Sequence, residues 1–277
     1  MDTSALHVLI VDDDRDLCVM LSKLLSSHGY QTTYVLSGDE CLRRVPTEPF
    51  DLIVLDIMMP GLDGYEVCRR LKMQRETNQI PILMLSARDT DRDKVVGLQT
   101  GADAYVSKPF EIDVLMSEIA EVLERQHRLM SEKGFRGRIT FRMASQFRYI
   151  EEVNELIGQL FKHTDLASNE IWELKLALHE LGINAIEHGN KMDPDKSVSI
   201  TYTLFDDRIA FEIRDEGEGF SVDEVPNPTC SEGLVRERGR GIYLVSQVVD
   251  QIEYVDGGAT ACLTKFFKKR HRNGNNH

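Results

Sequence analysis

Acids, a hydroxyl and an ammonium directly follow four short apolar runs in the first half of the chain. Asp12 and Asp13 follow the run 6–11, Asp56 follows 51–55, Ser86 follows 80–85 and Lys108 follows 104–107. Clustered carboxylates raise one another's pKa unless a cation lies among them, and carboxylate oxygens are ligands that suit Mg²⁺. A hydroxyl and an ammonium nearby would suit an added phosphoryl group. One such acid alone could be an ordinary loop residue, but the four together indicate phosphoryl and Mg²⁺ chemistry.

The elements that would position these side chains alternate along the chain. The pattern predicts strands at 6–11, 32–36, 51–55, 80–85 and 104–107, and helices at 16–25, 40–45, 66–73 and 92–99. Fully apolar strands between amphipathic helices are typical of a parallel sheet covered on both faces. The prediction is therefore an α/β fold, a doubly wound, five-stranded, flavodoxin-like parallel sheet whose functional groups gather at the carboxyl ends of its strands.

The motifs of this half resemble those of two-component response-regulator receiver domains. They are Leu9–Asp14, Leu55–Gly64, Leu85–Ala87 and Tyr105–Phe110. The resemblance implies that Asp56 accepts a phosphoryl group from a sensor histidine kinase. It also implies that Asp12, Asp13, Asp56 and the backbone carbonyl of Met58 bind Mg²⁺, that Ser86 and Lys108 contact the phosphate, and that Ser86 and Tyr105 act as switch residues. Lys108–Pro109 is expected to be a cis peptide bond, a form almost confined to X–Pro.

A long helix is predicted to connect the two halves of the chain. The apolar spacing continues from Glu111 to about Glu132 and is followed by Lys133-Gly134. The predicted organisation is a receiver domain over 1–125, a helical linker over 111–135 that continues from its last helix, an ATP-binding domain over 136–268, and a basic and polar tail over 269–277.

The second half has a different pattern, which predicts an α+β sandwich with helices on one face of a mostly antiparallel sheet. Strands are expected at 138–143, 197–204, 209–214, 252–255 and 259–266, and helices at 147–161, 170–188 and 242–249. The turns Asp206-Asp207 and Asp256-Gly257-Gly258 are typical of hairpins.

Three segments of this half could bind a nucleotide. Glu180, Asn184 and Glu187/His188 would share one face of a helix, although a plain polar face is an equally good interpretation of that helix alone. Asp215-Glu216-Gly217-Glu218-Gly219 follows a strand, where glycines let the backbone approach a flat ligand and Asp215 can accept a hydrogen bond from an exocyclic amine. Arg238-Gly239-Arg240-Gly241 begins a helix, where free amides favour phosphate. The stretch 221–237 between the last two is of the kind that forms a lid.

In this order the three segments resemble the nucleotide-binding boxes of the GHKL ATPases, whose fold is the Bergerat fold. Within that group, Glu180–Asn190 is most similar to the RsbW type, the serine kinases that act as anti-sigma factors. The resemblance implies ATP and Mg²⁺ binding, with Glu180 as the base that deprotonates the acceptor serine and Asn184 as both a catalytic residue and a Mg²⁺ ligand. Asp215 would read the adenine amine. The other ATP-binding residues it implies are His188, Gly217, Gly219, Arg238, Gly239, Arg240 and Gly241.

The resulting hypothesis is a response regulator whose output is a serine/threonine protein kinase of the anti-sigma factor type. Its expected substrate is a STAS-type anti-anti-sigma protein, with a sigma factor as a further possible partner. Homodimerisation through the last helices and strand of the receiver, or through the linker, is left open. The alternative is an ATP-gated protein-binding switch without phosphoryl transfer. A kinase that phosphorylates its own histidine is disfavoured because His127 and His163 lack the sequence context of a phosphoacceptor histidine.

Composition limits the other function classes. The net charge of −13 disfavours a protein that works by neutralising a nucleic-acid backbone, so no DNA partner is expected. The five cysteines form no CxxC pair, which argues against a zinc site or a disulfide framework. No apolar run approaches the ~20 residues of a membrane span, so no membrane partner is expected and the prediction is a cytoplasmic protein.

Overall fold

The computed structural model describes residues 5–87, 98–161, 164, 166–219 and 244–267. These residues form two compact units that divide between Arg142 and Met143.

The first unit contains a five-stranded parallel sheet with the order β2-β1-β3-β4-β6. This order is that of a flavodoxin-like sheet and confirms the predicted fold. The strands are β1 (His7–Val11), β2 (Gln31–Val35), β3 (Leu52–Asp56), β4 (Ile82–Ala87), β5 (Leu98–Gly101), which lies outside this sheet, and β6 (Ala104–Lys108). The helices are α1 (Arg15–Ser27), α2 (Gly38–Arg44), α3 (Gly64–Met73) and α4 (Ile112–Ser131).

The central strands are apolar at every position because both faces of the sheet are covered. Leu9 and Val11 of β1 pack into one hydrophobic cluster, whereas Val8 and Ile10 pack into the cluster on the opposite face. Successive side chains of a strand point to opposite faces, so a strand buried on both sides has no polar register.

Short polar side chains fix where the helices begin. The carboxylate of Asp14 accepts hydrogen bonds from the backbone N–H groups of Asp16 and Leu17, and Asp63 caps α3 in the same way. Such caps satisfy N–H groups that have no partner within the helix. They place the helix starts directly after the strands that carry the candidate site.

Helix α4 confirms the long helix expected after the last strand. It runs for 20 residues and ends shortly before Gly134, which has a φ of 82°. Among the helices that the structure describes, none is both long enough and apolar enough to cross a membrane.

The helix predicted at 92–99 is wrong at its carboxyl end. Residues 92–97 lie outside the described part of the chain, but Leu98 and Gln99 belong to strand β5. Strand β7 (Phe135–Ala144) follows α4, and Gly101 at the end of β5 lies close to it. A Cβ atom on Gly101 would be 3.3 Å from the carbonyl oxygen of Thr140. A strand stabilised by a segment some 40 residues away has no local pattern that would distinguish it from the end of a helix.

The second unit combines two helices with an antiparallel sheet. The helices are α5 (Phe147–Phe161) and α6 (Ser168–Asn184), and residues 244–248 are also helical. The strands β8 (Ser197–Phe205), β9 (Arg208–Arg214), β10 (Gln251–Val255) and β11 (Thr260–Phe266) lie in the order β10-β11-β9-β8. The rings of Phe161, Tyr202 and Phe211 join α5 to the sheet, with centroids 5.7–6.1 Å apart.

The predicted helix 170–188 is not one regular α-helix. The α-helix ends at Asn184 and continues as a π-helical turn, Ala185–Gly189, in which the N–H of Asn190 donates to the carbonyl of Ala185 at 2.8 Å. The expectation that Glu187 and His188 continue the face of Glu180 assumed α-helical geometry throughout, whereas these two residues lie in a π-helical turn.

Candidate functional site

The structure brings together three carboxylates at the carboxyl ends of β1 and β3. Possible ligand oxygens of Asp12, Asp13 and Asp56 all lie within 4.8 Å of one another. Asp12 and Asp56 are almost fully buried, whereas Asp13 is exposed. This "carboxylate cluster" offers the donor atoms and the open side that an octahedral Mg²⁺ with several waters requires.

Lys108, at the end of β6, partly neutralises the carboxylate cluster. Its Nζ donates to Asp12 Oδ2 and to Asp56 Oδ1, each at 2.6 Å. Burial raises the pKa of Asp12 even though the hydrogen bond from Lys108 lowers it. Burial opposes the charge of Lys108 too, but its hydrogen bonds to both acids leave its pKa raised. One ammonium therefore balances three acidic groups incompletely, and the cluster retains a preference for a further cation.

Backbone geometry holds the two buried acids in place. The N–H of Asp14 donates to Asp12 Oδ1 at 2.9 Å, which orients that carboxylate at the end of β1. Gly64 packs against the backbone that follows β3: a Cβ atom there would overlap the carbonyl oxygen of Asp56 and lie 2.8 Å from the Cα of Ile57. Gly64 is thus needed for the close approach of α3 to the end of β3.

The other predicted receiver residues lie at neighbouring strand ends. Asp56 is paired with Leu85, so the buried Ser86 follows directly beside it. Met58, for which only the backbone carbonyl is predicted to take part, is 68% exposed. The Lys108–Pro109 peptide bond is cis, which confirms that prediction.

Tyr105 already lies partly inside the first unit. Its ring packs against a core cluster, and its hydroxyl accepts a hydrogen bond from the N–H of Ala102 at 3.1 Å. Burial raises its pKa to about 12. The guanidinium of Arg142, on β7, lies 5.5 Å from the centre of the ring. Sequence reasoning missed Arg142, because a cation–π pair between residues 37 positions apart leaves no local signal.

A second concave site lies in the second unit and is called the α6 pocket. Its lining combines residues of the end of α6, the π-helical turn, β9 and the last hairpin: Leu181, Asn184, Ala185, His188, Gly189, Ile213, Asp215, Gly219, Tyr254, Gly258, Ala259 and Ala261. Asn184, His188, Asp215 and Gly219 were predicted from the sequence, and the pocket brings them together. An apolar cleft with a few convergent polar groups is typical of a small-molecule site.

Asp215 is the half-buried acid of the α6 pocket. Burial raises its pKa, against the hydrogen bond from the N–H of Gly217 to its Oδ1 at 2.8 Å, which lowers it. A Cβ atom on Gly189 would overlap the carboxylate of Asp215, and a Cβ atom on Gly217 would overlap the carbonyl of Gly189. Two glycines therefore let the turn and the helix end meet closely behind this carboxylate.

Gly219 has a φ of 74° and packs against the carbonyl of Gly257, so only glycine fits there without strain.

Glu180 is half-buried one turn before Asn184 and is not among the residues that line the described pocket. The predicted phosphate-binding residues Arg238, Gly239, Arg240 and Gly241 and the expected lid at 221–237 lie outside the described residues.

Comparison with known proteins agrees with this division of the chain. Residues 8–120 match the family "Response regulator receiver domain", and residues 143–265 match the family "Histidine kinase-like ATPase domain".

The curated proteins that match the chain include two transcriptional regulators. The "Uncharacterized transcriptional regulatory protein YclJ" of Bacillus subtilis (strain 168) is 39% identical over 120 residues, which cover 43% of this chain and 52% of that protein. The "Probable transcriptional regulator ycf27" of Cyanidium caldarium is 36% identical over 197 residues, which cover 63% of this chain and 78% of that protein. The chain thus spans about half the length of the first relative.

Among solved structures, the signal receiver domain of a signal transduction histidine kinase from Syntrophus aciditrophicus is 34% identical, with a TM-score of 0.40. The match covers 44% of this chain and 92% of that structure.

A parallel five-stranded sheet with acids at its strand ends, together with the match of residues 8–120 to the receiver-domain family, defines a signalling receiver. The chain belongs to the response-regulator family, and its second unit is a histidine kinase-like ATPase domain.

Proposed function

We propose that the protein is a phosphorylation-controlled serine/threonine kinase that uses ATP and Mg²⁺. A sensor histidine kinase phosphorylates Asp56, and the output domain phosphorylates a serine of a STAS-type anti-anti-sigma protein. A sigma factor is a further partner in this proposal. The observation that carries it is the α6 pocket, which joins Asn184, His188 and Asp215 in a domain of the histidine kinase-like ATPase family.

In the receiver, the residues present fit the proposed phosphoacceptor site. A carboxylate oxygen of Asp56 would bond to the phosphorus as the N–P bond of the donor histidine breaks. Asp12, Asp13, Asp56 and the carbonyl of Met58 would hold Mg²⁺, which would neutralise charge on the transferred group. Lys108 donates to Asp56 Oδ1 and would exchange that contact for a phosphate oxygen.

In the ATPase domain, Asp215 would accept a hydrogen bond from the adenine amine. Asn184 would contribute its amide oxygen to Mg²⁺ beside the nucleotide phosphates. The acceptor serine's oxygen would attack the γ-phosphorus, the bond from that phosphorus to the bridging oxygen would break, and Glu180 would take the hydroxyl proton. Glu180 and Asn184 lie one turn apart on α6, so their side chains share one face of that helix.

The test is a comparison of Glu180→Ala with Asn184→Ala. Glu180→Ala should bind ATP like the unmodified protein but transfer no labelled phosphate to a STAS protein, whereas Asn184→Ala should weaken Mg²⁺-dependent ATP binding as well. Binding is measured by calorimetry and transfer by incorporation of label from [γ-³²P]ATP. Persistent transfer by Glu180→Ala would remove Glu180 from the role of base.

One observation favours a second candidate function, an ATP-gated protein-binding switch without transfer. Glu180 lies outside the described pocket lining, and a switch needs no base. In that case a STAS or sigma partner would bind with an affinity that depends on ATP, and no labelled serine would form in the same assay.

Two features support control of the output by the receiver. Helix α4 runs without interruption from the receiver to Ser131, and β7 returns Arg142 to the ring of Tyr105. We propose that phosphorylation of Asp56 moves Tyr105 and thereby changes its contact with Arg142. Arg142→Ala should reduce the difference in transfer rate between the free protein and the protein treated with beryllofluoride. An unchanged difference would exclude this contact from the response.

A further inference from the structure

Asn190 is a fully buried polar residue directly after the π-helical turn, and the proposed chemistry does not use it. Its Nδ2 donates to Ser145 Oγ at 2.8 Å and to the carbonyl of Ser197 at 2.9 Å. Its Oδ1 accepts from the N–H of Glu216 at 2.8 Å. Both donors and the acceptor of the amide are therefore engaged, and each partner lies on a different segment of the second unit.

The side chain of Glu216 is also held in place, next to the backbone bond from Glu216 to Asn190. The carboxylate of Glu216 accepts hydrogen bonds from Ser197 Oγ at 2.6 Å and from the N–H of Ser197 at 3.3 Å. Ser197 is buried whereas Glu216 is exposed, so these contacts are partly accessible to water. Asn190 thus binds the backbone of Glu216, and Ser197 binds its side chain.

Glu216 is the neighbour of Asp215, whose carboxylate faces the α6 pocket. The N–H of Asp215 donates to the carbonyl of Ala259 at 3.1 Å, which fixes one side of the turn to the last hairpin. The bond from Glu216 N–H to Asn190 fixes the other side to the end of α6. The direction of the Asp215 carboxylate therefore depends on Asn190, although the two side chains make different contacts.

We propose that Asn190 is a positioning residue that holds the Asp215–Gly217 turn against the end of α6, so that Asp215 selects adenine. The inference rests on the proposed ATP site. A purely structural Asn190 would stabilise the fold without affecting which base is bound. A positioning Asn190 affects base selection in protein that is fully folded.

The experiment compares the Kd of ATP with that of ITP, whose hypoxanthine has a keto oxygen in place of the exocyclic amine. The unmodified protein should prefer ATP by about 10- to 100-fold, the range expected for one hydrogen bond to a charged acceptor. Asn190→Ala should reduce this preference at least about fivefold. Ser145→Ala is the matched control, because it removes one buried partner of Asn190 but leaves the bond to Glu216; its preference should stay within twofold of the original.

A second variant keeps the test decisive if Asn190→Ala does not fold. Asn190→Ser retains a hydroxyl in the buried site, but its side chain is about one bond too short to replace Oδ1, so the same loss of preference is expected. Folding is checked by circular dichroism before each titration. An original ATP preference in folded Asn190→Ala or Asn190→Ser would overturn the inference.

Asp215→Asn separates this outcome from failure of the ATP site itself. It should abolish the preference for ATP, since its amide cannot act as the same charged acceptor. If the unmodified protein binds no ATP, or Asp215→Asn keeps the preference, the proposed nucleotide site is wrong. If Asp215→Asn behaves as expected and the Asn190 variants do not, only the role of Asn190 is wrong.

Discussion

Replacing Lys108 with Met should destabilise the receiver by removing the cation shared by two buried acids. The ammonium lies 2.6 Å from oxygens of Asp12 and Asp56, whose side chains are only 2% and 5% exposed. Removal of one partner of a buried ion pair costs about 3–5 kcal/mol. Lys108 itself is 24% exposed, so water already screens it partly and the lower end, about 3 kcal/mol, is expected.

Mg²⁺ should restore part of this loss, because the variant leaves the carboxylate cluster with no ammonium. A tenfold excess of Mg²⁺ over its Kd returns about 1.4 kcal/mol when only the folded state binds the ion. Lys72→Met is the matched control: its Nζ lies 2.7 Å from Asp103 and is also buried, but the pair contains a single carboxylate. It should lose a comparable amount, but Mg²⁺ should stabilise it only as much as it stabilises the unmodified protein, whereas Lys108→Met should gain more.

The assay is urea unfolding in EDTA and in Mg²⁺, followed by circular dichroism. The single tryptophan, Trp172, lies in the second unit, so its fluorescence identifies the transition that does not belong to the receiver. A loss below about 1 kcal/mol for Lys108→Met would refute the energetic reasoning. Equal recovery of both variants by Mg²⁺ would refute the assignment of the ion to the carboxylate cluster.

Two further predictions address a close contact and an ion pair. Gly189→Ala should displace the carboxylate of Asp215 and weaken ATP binding about 10-fold or more, as measured by calorimetry. Gly158→Ala, where the new Cβ meets only the flexible Lys175 side chain at 3.4 Å, should bind ATP normally, and equal affinities of the two variants would contradict the steric argument. The hydrogen bond from Arg69 lowers the pKa of Glu66 to about 2, so its stabilisation is complete above about pH 4.5 and is lost as the pH falls towards 2. Glu66→Gln should therefore unfold about 1 kcal/mol more easily at pH 6 in urea titrations, since solvent screens this partly exposed pair. The difference should shrink several-fold by pH 2.5, and a difference of unchanged size at that pH would contradict the prediction.

The sequence predicted the receiver best, because its signals are local. Each central strand is a continuous apolar run, and each candidate ligand stands directly after such a run, as Asp12 and Asp56 do. Parallel order then brings these ends together, so the carboxylate cluster follows from topology and spacing alone.

Features that depend on distant partners could not be predicted. Strand β5 depends on a neighbouring segment rather than on its own pattern, and the contact of Arg142 with Tyr105 joins residues far apart in sequence. The π-helical turn has the same apolar spacing as a continuing α-helix and differs only in its hydrogen bonds. Asn190 ends the segment Glu180–Asn190 in the sequence, but its role could not be predicted because its three side-chain partners come from separate segments.

The central claim is that this receiver controls phosphoryl transfer from ATP to a protein serine. The most direct measurement is label transfer from [γ-³²P]ATP to a STAS protein by the full chain, with and without beryllofluoride on Asp56. We expect labelled serine at a rate that changes with beryllofluoride, and in an Asp56→Asn variant a rate that beryllofluoride leaves unchanged. ATP binding without labelled serine in either state would contradict the kinase, and an identical rate in both states would contradict its control by the receiver.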